Sequence, residues 1–122
     1  MSTEANKTLV RHFWDGVFNQ KNLAVIDEVC AANCVLYDPS GPIQGREALK
    51  QFIGMYLGAF PDFHVTIEDI IAEGDKVVVR NTWRATDLQS GQRIEFGGVV
   101  IWRMVDGKLA ERWAYLQAPY PI

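Results

Sequence analysis

Apolar side chains recur at helical spacing along the first part of the chain. Leu9, Val10, Phe13, Trp14, Val17 and Phe18 fall on one stripe, which predicts a helix with a single buried face. The stripe stops at Asn19-Gln20-Lys21-Asn22, a polar turn. Leu23, Ile26, Val29 and Cys30 then mark a short second helix, and the segment from Cys34 to Tyr37 is brief and β-prone. Between Asp38 and Gly45 lie two prolines and two glycines, which reads as a loop. Arg46 to Ala59 carries Leu49, Phe52, Ile53, Tyr56 and Leu57 at helical spacing, and Pro61 ends this third helix.

From Phe63 onward the character changes. β-rich runs at about 63–72, 76–86, 92–104 and 108–117 are separated by Gly74-Asp75, by Leu88 to Gly91 and by Asp106-Gly107, so four strands join as hairpins. Three helices followed by an antiparallel meander imply an α+β domain, with the helices covering one face of a curved sheet. A four-residue loop from Leu88 to Gly91 sets Arg84 opposite Glu95 and Trp83 opposite Phe96, an ion pair and an aromatic pair on opposite faces. Val79, Asn81, Trp83, Phe96, Gly98, Val100 and Trp102 then share the helix-side face. Val99 and Ile101 point away from it, as do Arg80 and Arg84, which are expected to pair with acidic neighbours.

The last hairpin has two solutions. A two-residue type I′ turn at Asp106-Gly107 would place Trp113 beside Val100, whereas a three-residue loop over residues 105–107 would put Arg112 and Ala114 on the Val100 face. Local turn preference favours the first.

Composition narrows the function classes. In 122 residues, 48% are hydrophobic and 22% charged, which fits one globular domain over residues 1–122 and excludes a disordered chain. The net charge of −3 comes without any long run of one sign, so a nucleic-acid surface is not expected. No membrane-spanning or secretory segment is apparent, and a cytoplasmic location is expected. Cys30 and Cys34 read as small buried residues, and His12 and His64 lie on different elements, so no metal site is expected. The aromatic residues on both layers fit either a solid core or a pocket, and periodicity does not decide between them.

Four segments carry a resemblance over nearly the whole chain. They run from Phe13 to Gln20, from Asp38 to Leu49, from Phe60 to Val65 and from Val105 to Leu109. In these the chain resembles the SnoaL-like polyketide cyclases, within the cone-shaped superfamily of nuclear transport factor 2 and ketosteroid isomerase. The resemblance implies a pocket for a small hydrophobic, polyketide- or steroid-like molecule, a homodimer through the outer sheet face, and proton transfer next to a carbonyl without a cofactor or metal. It also implies the three-residue loop, which we adopt as the expectation for the last hairpin. Val99, Ile101, Trp113 and Tyr115 would then face away from the helices, an apolar patch suited to the dimer.

At the acid/base positions of the resembled cyclases this chain has Ala114 and Val100, neither of which can move a proton. The base of ketosteroid isomerases, an Asp in an Asp-Pro-x-Gly loop, matches Asp38, while the two enolate donors of those enzymes become Trp14 and Val100. Asp38 is therefore the candidate catalytic base, although Asp before Pro-x-Gly is also an ordinary turn residue. The candidate substrate-binding residues are Trp14, Phe18, Tyr56, Phe60, Asn81, Trp83, Phe96, Val100, Trp102, Arg112 and Ala114. Two function classes stay open: a cofactor-independent cyclase or isomerase, and a non-catalytic protein that binds an apolar small molecule. An interaction module using its sheet face is a third.

Overall fold

The structure, a computed structural model, describes residues 2–122. Helix α1 spans Thr3–Phe13 and continues without a break into a π-helical segment, Trp14–Asn19. Ser2 caps α1, its hydroxyl accepting from the Ala5 N–H. The wider π turn lets Trp14, Val17 and Phe18 stay on the buried side with Val10 and Phe13. Asn19 then closes the segment onto the sheet, its side chain exchanging two hydrogen bonds with the Val65 backbone at 2.8 and 3.1 Å. Helix α2 spans Ala24–Val29 and α3 spans Arg46–Ala59.

Seven strands follow the chain as β1 (Cys30–Asp38), β2 (Gly41–Gln44), β3 (His64–Glu73), β4 (Lys76–Thr86), β5 (Arg93–Val105), β6 (Lys108–Leu116) and β7 (Tyr120–Pro121). The sheet order is β2-β1-β6-β5-β4-β3, with β7 also paired to β5. Every pairing is antiparallel except that of β1 with β6. The result is the expected α+β architecture, three helices against a curved, mostly antiparallel and unclosed sheet. Arg84 lies opposite Glu95 and Trp83 opposite Phe96, as the hairpin arithmetic requires. On the outer face Arg84 meets Glu95 at 2.8 Å and Arg80 meets Asp69 at 2.7 Å.

Three details correct the sequence reading. The segment 38–45 is no simple loop: Pro39-Ser40 turns the chain and Gly41–Gln44 returns beside β1 as an edge strand, where Pro42 is tolerated because it needs no outward donor. Cys30 starts β1 rather than ending α2, and the pairing of β1 with β6 is irregular between Cys30 and Val35, which keeps both Cys30 and Cys34 inside. The third correction is the last hairpin.

Asp106 and Gly107 have φ of 51° and 75°, the left-handed pair of a two-residue turn, and Val105 pairs directly with Lys108. The three-residue loop expected there is absent. Met104 pairs with Leu109 but Arg103 with Glu111, so Ala110 is an extra residue in β6. This bulge reverses the faces of everything after it. Arg112 and Ala114 therefore turn inward opposite Trp102 and Val100, and Trp113 turns outward.

The core lies between α1, the π segment and the inner faces of β4 and β5. Trp102 meets Phe13 and Trp14 edge to face with ring centroids 4.8 and 4.9 Å apart, and Phe13 lies tilted on Trp14 at 5.4 Å. Across the sheet, Gly98 sits where a Cβ would come within 2.8 Å of the Tyr115 carbonyl oxygen and 2.6 Å of a Leu116 methyl. Backbone cannot yield as a side-chain end can, so Gly98→Ala should lower stability by about 2 kcal/mol in urea denaturation. An unchanged midpoint would show that β5 and β6 are not locked together there.

The connection from α3 to β3 is tied to the β4–β5 hairpin by Asp62. Its carboxylate accepts from the Thr86 N–H at 2.8 Å and the Thr86 hydroxyl at 2.6 Å, with the Arg93 guanidinium at 2.8 Å. The hydrogen bonds from Thr86 hold its pKa below the usual 3.8. A carboxylate depressed in the folded state contributes stability above its unfolded pKa and loses it as pH falls through the folded one. Stability should therefore drop below about pH 4, and Asp62→Asn should flatten that part of the denaturation-versus-pH curve.

Candidate functional site

Between α3 and the inner sheet face a narrow cleft, with a cavity volume of about 40 Å³, enters the molecule. Helix α3 supplies Phe52, Ile53 and Tyr56, and the π segment supplies Phe18. Opposite them stand Trp83 of β4 and Phe96 of β5, their rings stacked with centroids 5.1 Å apart at 30°. Phe63, just before β3, closes one side and lies 5.5 Å from Phe18 and 6.2 Å from Phe96. The last wall is β6, with Arg112, Ala114 and Leu116, and Asp38 comes in from the end of β1. Because β1 runs beside β6, with Leu36 opposite Arg112 and Tyr37 opposite Trp113, the carboxylate and the guanidinium belong to adjoining strands.

Of the residues singled out from sequence, the cleft brings together Asp38, Phe18, Tyr56, Trp83, Phe96, Arg112 and Ala114. It does not reach Trp14, Asn81, Val100 or Trp102, all buried in the core beneath it, and Phe60 packs outside it on Tyr56 and Phe63. Trp14 fills the space beside Asn81, Val100 and Trp102, so along β4 and β5 the cleft reaches only Trp83 and Phe96. Phe52, Ile53, Phe63 and Leu116 line the cleft without having been selected. The signal was present: Phe52 and Ile53 precede Tyr56 on the same helical stripe, and Leu116 alternates with Arg112 and Ala114.

Arg112 is the unusual group. It is only 5% exposed, its Nε has no hydrogen-bond partner, and no carboxylate lies within ion-pair distance among the described residues. Its guanidinium carbon lies 4.7 Å from the Trp14 ring centroid and 5.4 Å from that of Trp102. Two desolvated cation–π contacts, about 2 kcal/mol each, offset part of a burial cost of several kcal/mol. Burial pushes the guanidinium down to about 10, with the charge of Asp38 opposing the shift, so it is charged at neutral pH.

Asp38 is half-buried. Its Oδ2 accepts from the Ser40 N–H at 3.1 Å and from the Ser40 hydroxyl at 2.7 Å, the turn-capping role open to any Asp before Pro-x-Gly. Among the described residues no hydrogen bond falls on Oδ1. Burial, and then the charge of Asp38, pushes the Tyr56 phenol up, which keeps it a neutral donor at the cleft wall. Below Arg112 the Cys30 thiol is pushed up by its hydrogen bond with Cys34 and by burial, so it adds no charge. Deeper still, the Trp14 indole N–H donates to Asn81 Oδ1 at 2.5 Å and is occupied within the core.

Among the described residues no three His, Cys, Asp or Glu side chains gather into a metal-binding group, and no helix is long and apolar enough to cross a membrane.

The fold has close counterparts. AclR of Streptomyces galilaeus, a proposed hydroxylase, superposes with a TM-score of 0.84 at 27% identity, covering 95% of this chain and 81% of that one. A proposed SnoaL-like polyketide cyclase of Jannaschia sp. CCS1 gives a TM-score of 0.85 at 21% identity over 94% and 87%. IdmH of Streptomyces antibioticus, a proposed polyketide cyclase, gives 0.80 at 22% identity over 92% and 91%. No curated protein matches by sequence. The SnoaL-like domain pattern matches residues 10–112, from the last turn of α1 through α3 and the strands to the cleft's arginine, and on that match the chain belongs to the SnoaL-like domain family.

Proposed function

We propose that the cleft binds a small hydrophobic, polyketide- or steroid-like molecule and that the protein is a cofactor-independent cyclase or isomerase acting by proton transfer next to a carbonyl. The observation that carries the reading is the pairing of one carboxylate and one uncompensated cation on the walls of an otherwise apolar cleft, Asp38 and Arg112. Removing a carbon-bound proton needs a base and a fixed positive group where the oxygen gains charge, and the second is usually the larger effect. Asp38 takes the proton from carbon; the bond electrons move to the carbonyl oxygen, which Arg112 faces as an enolate. Return of the proton to another carbon completes an isomerisation; alternatively the enolate carbon attacks a second carbonyl, closing a ring, and the alkoxide formed there takes the proton back from Asp38. Tyr56, neutral and beside Asp38, supplies a further donor.

Solvent-deuterium exchange tests the chemistry without the natural substrate. With 2-tetralone in heavy water followed by NMR, the protein should accelerate exchange of the α-protons over buffer, and Asp38→Asn should slow it by about 100-fold or more with folding unchanged. Exchange retained in Asp38→Asn would remove Asp38 as base. Binding without any exchange would favour the second reading, a non-catalytic binding protein. That reading is supported by the hold of Ser40 on Asp38 and by Val100 and Ala114 at the usual acid/base positions.

The outer sheet face supports the proposed homodimer. Tyr115 is 65% and Val99 37% exposed, they are direct cross-strand partners, and Tyr37 and Trp113 stack beside them at 5.5 Å. Sedimentation at tens of micromolar should show a dimer, and Tyr115→Glu should shift it toward 13.8 kDa. A monomeric wild-type protein would refute this assembly.

A further inference from the structure

Among the described residues the charge inside the cleft has no hydrogen-bonded or ion-pair partner, and Asp38, on the same cleft, acts on it only from beyond ion-pair distance. Arg112 is more than nine-tenths buried, lines the cleft, and has an Nε without a partner. The neighbouring carboxylates do not serve it. Glu111 holds Arg103 at 2.6 Å and accepts from the Tyr37 hydroxyl at 3.2 Å on the other face, while the Asp38 Oδ2 is bonded to Ser40. Burying a cation is costly unless an anion joins it, and folding alone provides none here. Much of the remaining wall is aromatic, Phe18 lying against Phe63, Phe63 against Phe96 and Phe96 stacked on Trp83, with Ile53, Ala114 and Leu116 beside them.

From this we infer that the ligand is a planar aromatic acid, its ring system between the aromatic walls and its carboxylate on Arg112. A guanidinium presents a planar fork of N–H donors that matches a carboxylate and exceeds what a neutral carbonyl can use. The acid thus completes the site in the ground state. The inference rests on the cleft being the ligand site and names the chemical class of its occupant; proton transfer by Asp38 is not required for it.

Benzoate, 2-naphthoate and their methyl esters separate the possibilities by calorimetry and thermal shift in a chloride buffer at pH 7. Wild-type protein should bind at least one acid about tenfold or more tighter than its ester and melt higher in its presence. In Arg112→Met the preference should vanish, with ester binding retained, and in Arg112→Lys it should be reduced but present. The unliganded Arg112→Met variant should melt at or above the wild-type temperature, because a binding cation is a burden on the fold. An ester that binds as well as its acid, or an acid preference that survives Arg112→Met, overturns the inference and leaves the cleft reading standing. A wild-type protein that binds neither acids nor esters overturns both. A clear loss of melting temperature in Arg112→Met would make the arginine structural and also refute the inference.

Discussion

One extra residue in β6 decides what this cleft can do. The Asp106-Gly107 turn fixes the register at the hairpin tip, with Leu109 inward beside Met104. Continued without interruption, strict alternation would carry Glu111 and Trp113 into the core and leave Arg112 and Ala114 in solvent. A carboxylate would then sit beside Trp102, where it finds no favourable ring face. The Ala110 bulge exchanges it for a guanidinium, whose charge lies 4.7 and 5.4 Å from the centroids of two adjacent indole rings. It also leaves Glu111 outward, where Arg103 and Tyr37 bind it. Turn chemistry and burial chemistry conflict by one residue, and the bulge satisfies both.

The rest of the molecule holds that arrangement rigid. Trp14 and Trp102 are among the most deeply buried large side chains, and they are also the rings that clasp Arg112. Packing that stabilises the fold therefore positions the charge. Trp14 occupies its place because the π segment widens the helix at that point, and its indole N–H is anchored to Asn81 of β4. Core and site are thus one network, divided only where the helix layer runs out of large residues toward β1 and β6.

Much of this was legible in the residues, and the unread parts share a cause. Helix α3 has the bounds its stripe predicts, and the β4–β5 register follows from Arg84 with Glu95 and Trp83 with Phe96, because a strand's period of two leaves little freedom once one pair is set. What escaped notice breaks the period. The irregular β1 hides Cys30 behind a helical spacing, β2 is a four-residue edge strand containing Pro42, and β7 is shorter still. Arg112 was placed on the inner face through a three-residue loop that the structure does not have. The side-chain direction emerged from a bulge for which Ala110 itself carries no sequence mark.

The same irregularity bears on how chemistry is distributed in this fold. Where the resembled cyclases carry proton-moving groups, this chain has Val100 and Ala114, which face each other across β5 and β6 and contribute only shape. The charged groups of the cleft instead come from the end of β1 and from the residue two before Ala114. Along one strand, positions 112 and 114 point the same way, so moving the polar group by two residues preserves the face while shifting it against Trp14 and Trp102. That setting changes its role. A carboxylate or imidazole at the wall can exchange protons with a substrate, whereas a guanidinium clasped by two indoles is fixed in place and stays protonated at neutral pH. Such a group can hold an anion or stabilise one that forms, and in the proposed reaction it would leave proton movement to Asp38 on the adjoining strand.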